Sequence, residues 1–97
     1  MDICMAIRER KMVEFSYDGL LRKVIPVAHG RHTESGNSVL RGYQVGGSSS
    51  SRRLPAWSLF REDKIQFFDV SEEKFKENPP GYVPRDRDIF LCCELAS

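Results

Sequence analysis

The chain has 97 residues, of which 40% are apolar and 30% charged, and its net charge is +1. This is ordinary for one globular domain, and no apolar run approaches the ~18 residues of a membrane span. The start Met1-Asp2-Ile3-Cys4-Met5-Ala6-Ile7 has no basic segment before its apolar stretch, which argues against a secretory leader. Cys4, Cys92 and Cys93 make an odd set. Adjacent cysteines bridge badly, so three reduced thiols in a cytoplasmic protein are expected.

The charge is unevenly spread. Residues 8–61 carry ten Lys/Arg against four acids, whereas 62–97 carry five against nine. A basic body with an acidic remainder suits either an anionic partner or mutual neutralisation within the fold.

Residues 2–11 read as a short helix. Asp2 caps it, Ile3, Ala6 and Ile7 share a face, and Arg8, Arg10 and Lys11 suit its C-terminal end. Val13, Phe15 and Tyr17 alternate with Glu14 and Ser16 as a half-buried strand, and Asp18-Gly19 signals a hairpin turn. A second strand runs from about Leu20 to His29, with Pro26 demanding an edge or a bulge. A polar turn over 33–37 precedes a third strand, Val39 to Val45. There Val39, Arg41, Tyr43 and Val45 face one way, and Leu40, Gly42 and Gln44 the other.

A Gly/Ser loop over 46–51 ends in Arg52-Arg53. Strands are expected over 56–61 and 64–70, the latter with Ile65, Phe67 and Asp69 on one side. Ser71-Glu72-Glu73-Lys74 resembles a capping box and predicts a short helix through Glu77, broken by Asn78-Pro79-Pro80-Gly81. Ile89 to Cys93 forms a strand or helical turn that packs back. The whole reads as a mainly β (α+β) domain. A short N-terminal helix and a five-stranded antiparallel small barrel occupy residues 1–77, and 78–97 form an appendage on the barrel or on a partner.

Five stretches resemble the WYL domain family, in order and spacing, over residues 3–77. They are Ala6-Ile7-Arg8-Glu9-Arg10-Lys11, Val13-Glu14-Phe15-Ser16-Tyr17, Arg22-Lys23-Val24-Ile25-Pro26, Leu40-Arg41-Gly42-Tyr43-Gln44 and Phe60-Arg61-Glu62-Asp63-Lys64-Ile65. The family's Trp-Tyr-Leu triplet falls at Ser38, Val39 and Leu40, where only the leucine is kept. The resemblance implies an Sm-like barrel that senses a ligand and acts in transcriptional or defence regulation.

Arg22, Arg41 and Arg61 lie on three strands. Either they gather around one anion, phosphate or nucleic-acid backbone, or each pairs locally, as Arg61 with Asp63 or Arg22 with Asp18. Tyr43 beside them offers a stacking surface, Arg52 and Arg53 a phosphate grip, and His29 a further donor. Trp57 reads better as core. His29 and His32 lack a completing ligand set, so no metal site is expected, and no cofactor motif is present. No nucleophile elbow or P-loop supports catalysis. The expectation is a non-enzymatic module that binds a nucleotide or single-stranded nucleic acid, with a regulatory protein partner or a homodimer as further possibilities. The alternative is a protein–protein adaptor with no nucleic-acid ligand.

Overall fold

The computed structural model describes residues 1–48 and 53–96. Helix α1 spans Ile3–Arg8, and Asp2 accepts the Met5 N–H as its cap. The strands are β1 Lys11–Tyr17, β2 Leu20–His32, β3 Ser38–Gly47, β4 Ala56–Arg61, β5 Gln66–Lys74 and β6 Ile89–Glu94. A single 3-10 turn, Glu62–Lys64, joins β4 to β5.

All strand pairs are antiparallel, in the order β4-β3-β2-β1-β5. The exceptional length of β2 explains the sixth strand. Its first half pairs with β1 through Val24, and its second half pairs with β6 from Ala28 to His32. Asp18 and Gly19 both have positive φ, as a two-residue primed turn requires. Pro26 sits where the β2–β3 register shifts, so the central strand accommodates it at a bulge.

The inner face carries Val13, Phe15, Val24, Leu40 and Phe60, and α1 adds Ile3, Ala6 and Ile7 to the same core. Phe15 on β1 meets Phe60 on β4 edge-on at 5.1 Å and stacks on Phe68 of β5 at 6.4 Å. The Arg61 N–H donates to the Tyr17 hydroxyl at 3.1 Å. β2 and β3 lie between β1 and β4 in the sheet, so these contacts require strong coiling. No ladder joins β4 to β5 among the described residues. Phe15 and Tyr17 of β1 instead reach β4 through side chains, and Phe15 also touches Phe68 of β5.

Four expectations are corrected. Among the described residues the sheet has six strands, because residues 89–94 complete β2. Residues 71–74 continue β5: Lys74 pairs with Lys11, and the Phe75 N–H donates to the Arg10 carbonyl. Available edge pairing on β1 thus overrides the local helix-start signal. The side-by-side placement of Ile65, Phe67 and Asp69 fails because Phe67 has φ +55° within a register shift. Its ring is 87% exposed, and Phe68 turns inward instead. Finally, Cys4 and Cys93 form a disulfide across 89 residues, leaving only Cys92 free, which removes the reduced-thiol premise. Among the described residues, no helix is long and apolar enough to cross a membrane.

Candidate functional site

Pleat parity decides where each arginine points. Leu40, Gly42 and Gln44 are buried on the inner face, so Arg41 and Tyr43 stand on the outer one. Arg61 pairs with Val39 and Trp57 with Tyr43, so both share that outer face. Arg22 lies opposite Phe15 and two residues before Val24, which puts it on the inner face. Arg22 is therefore separated from Arg41 and Arg61 by the sheet itself.

Each guanidinium group has its own partners. Arg22 donates to Gln44 Oε1 at 3.3 Å and to the Tyr17 carbonyl at 3.1 Å, with its carbon 5.6 Å from the Tyr17 ring centroid. Arg61 forms a fork with Asp63 at 3.1 and 2.7 Å, the local pair that the sequence allows. Arg41 donates from Nε to Asp86 at 2.8 Å and from Nη2 to Asp88 at 3.1 Å. No anion site shared by all three is formed. Tyr43 packs its ring 5.0 Å from that of Trp57. Arg53 is exposed, and Arg52 lies outside the described residues. His29 stands opposite Leu40 and Cys93 and beside Cys4, with its other ring nitrogen 3.1 Å from Glu62 Oε2.

The segment before β6 builds a concavity on the outer face. It folds over the outer face and lines a half-open cleft of about 540 Å³. Val27, Ala28, Arg41 and Trp57 form the floor, and Tyr82, Arg85, Asp86 and Arg87 the far wall. The volume lies within the ~300–1,000 Å³ of small-molecule sites. Several contacts hold the segment down. The Trp57 indole N–H donates to the Pro80 carbonyl at 3.0 Å, the Tyr82 hydroxyl donates to the Leu95 carbonyl at 2.7 Å, and Arg41 grips Asp86.

Electrostatics follows from this anchoring. Partial burial alone would push the Asp86 carboxyl up. The Arg41 guanidinium and the Asp88 N–H outweigh burial and hold it below the ordinary carboxylate range. Burial first, and the Glu94 carboxylate next, raise the Tyr82 phenol. Arg41 is thus committed to two acids. Arg85 and Arg87 are exposed, and no side-chain partner holds either guanidinium group among the described residues. They are the cations of this wall that remain open to a ligand.

Sequence reasoning placed Arg41 and Tyr43 on this face but missed Tyr82, Arg85 and Arg87, which it assigned to an appendage. It also placed Trp57 in the core, whereas this ring is half-buried on the pocket floor. Compared with known proteins, the chain matches no family model, no curated protein and no solved structure.

Proposed function

We propose that the chain is a non-enzymatic, WYL-like binding module for a nucleotide or the end of a nucleic-acid single strand. Support for the family reading comes from the five sequence stretches and from a coiled antiparallel sheet preceded by one helix. An Sm-like barrel belongs to the same proposal: the aromatic contacts across the β1–β4 gap are those that closure would need. The observation that carries the ligand class is one pocket lined by Trp57, Tyr82, Arg85 and Arg87 together. Indole and phenol faces stack on bases, and open guanidinium forks bind phosphate. The fixed Arg41–Asp86 pair shapes the wall while cancelling its own charge.

Trp57 is the only tryptophan, so its fluorescence reports the pocket directly. Titration with a short oligothymidylate and with nucleoside monophosphates at low salt is expected to quench it. Arg85→Ala and Arg87→Ala should each weaken binding several-fold and flatten the salt dependence by about one phosphate contact. Absent quenching, or unchanged affinity in both variants, contradicts the proposal. A protein–protein adaptor is favoured by one separate observation, the exposed ring of Phe67 on the free edge of β5. A dimer seen by light scattering, dissociated by Phe67→Ser and indifferent to nucleotides, would favour that reading.

A further inference from the structure

Cys4 on α1, His29 on β2 and Cys93 on β6 bring three potential metal ligands to one point. Their ligating atoms all lie within 4.8 Å of one another. His29 and Cys93 are direct cross-strand neighbours, and Cys4 Sγ lies 3.7 Å from His29 Nδ1. The other ring nitrogen, Nε2, lies 3.1 Å from Glu62 Oε2. A carboxylate accepts from Nε2–H, and with that proton on Nε2 the Nδ1 lone pair faces the sulfurs. His29 and Glu62 side chains are only 19% and 26% exposed, which shields the cluster.

We propose that this cluster is a redox-gated site for zinc or a similar thiophilic divalent cation. Cys4 and Cys93 thiolates and His29 Nδ1 are the ligands, and Glu62 orients the ring. The inference is independent of the pocket on the outer face. Reduction by a dithiol breaks the Cys4–Cys93 bond: two electrons and two protons pass to the sulfurs, and the dithiol becomes its own disulfide. The cation then displaces both thiol protons into solvent. A disulfide oxidant reverses the sequence and expels the metal.

The scaffold allows the change. The two Cα atoms stand 5.8 Å apart. Tetrahedral thiolates at about 2.3 Å from zinc lie about 3.8 Å from each other, so rotation at the Cβ atoms suffices. Three protein ligands leave a fourth position for water. Cys92 alternates to the opposite side of β6 and is exposed, so it lies outside the set.

The test uses the full chain, reduced and freed of metal, titrated with Co²⁺ and then Zn²⁺. We expect one equivalent of Co²⁺ to give thiolate charge-transfer absorption, displaced by Zn²⁺, with close to two protons released per cation near neutral pH. Cys4→Ser and Cys93→Ser should each abolish the charge-transfer signal of the full site or weaken affinity at least 100-fold. Glu62→Gln should weaken it about 10- to 100-fold with the spectrum retained. Cys92→Ser, which leaves the cluster intact, should bind as the parent does. The oxidised protein should bind no Co²⁺ at this site. A reduced parent chain that takes up no cation, whether folded or not, overturns the proposal. So does loss of the site in Cys92→Ser, or full affinity in Cys4→Ser.

Discussion

Arg41 shows how one residue sets the shape of the outer face. Its guanidinium group holds Asp86 and Asp88, both in the short turn before β6. Arg41→Ala would leave the part-buried Asp86 carboxylate without its partner. Urea unfolding is expected to show a loss of about 1–3 kcal/mol. The pH dependence has a definite sign. The folded value of Asp86 lies below its unfolded value, so its contribution is complete above the unfolded range near pH ~4 and fades as pH falls through the depressed folded value. Acid unfolding followed by circular dichroism should therefore be shallower at low pH in Arg41→Ala than in the parent. The face of Arg22 was also legible in principle. A two-residue Asp18-Gly19 turn pairs Tyr17 with Leu20 and hence Phe15 with Arg22, which places this arginine beside the core. Counting strands without counting parity hid that separation.

At the scale of elements, the most informative strands are β5 and β6. Clean alternation made β1 and β3 readable from sequence. In β5 the alternation is broken by Phe67, which adopts φ +55° with its ring in solvent. A bulky residue pays steric strain there, and nothing buried compensates. Phe67→Asn is expected to raise unfolding stability by up to about 1 kcal/mol, measured by urea denaturation. β6 was obscured for another reason: its apolar run follows a charged stretch, and its partner is the far half of a strand sixty residues earlier. Gly30 records that pairing. A Cβ at Gly30 would collide with the Phe90 carbonyl oxygen and the Ile89 side chain. Gly30→Ala should therefore cost about 1–3 kcal/mol and raise amide exchange in residues 89–94 first. Unchanged exchange in β6 would show that this strand docks elsewhere.

For the molecule as a whole, the ends of the chain are tied together. The Cys4–Cys93 link closes 89 residues of sequence separation. A closed loop of this length restricts the unfolded chain by about 4–5 kcal/mol on the entropic model. Reduction in the presence of a chelator should lower the urea midpoint markedly, and an unchanged midpoint would contradict the link. No sequence signal identifies this pair, because three cysteines permit several pairings and only the fold brings α1 against β6. The outer-face pocket was invisible for the same reason. Its floor residues Arg41 and Trp57 and its wall residues Arg85 and Arg87 come from distant segments, joined only when residues 79–88 fold back.

Amide chemical-shift mapping of the full chain with a nucleoside monophosphate at low salt tests the central claim most directly. The account predicts saturable shifts clustered at Arg41, Trp57, Tyr82, Arg85 and Arg87, with Arg22 unmoved. Shifts centred on Arg22 and Gln44, or none at millimolar ligand, would contradict it.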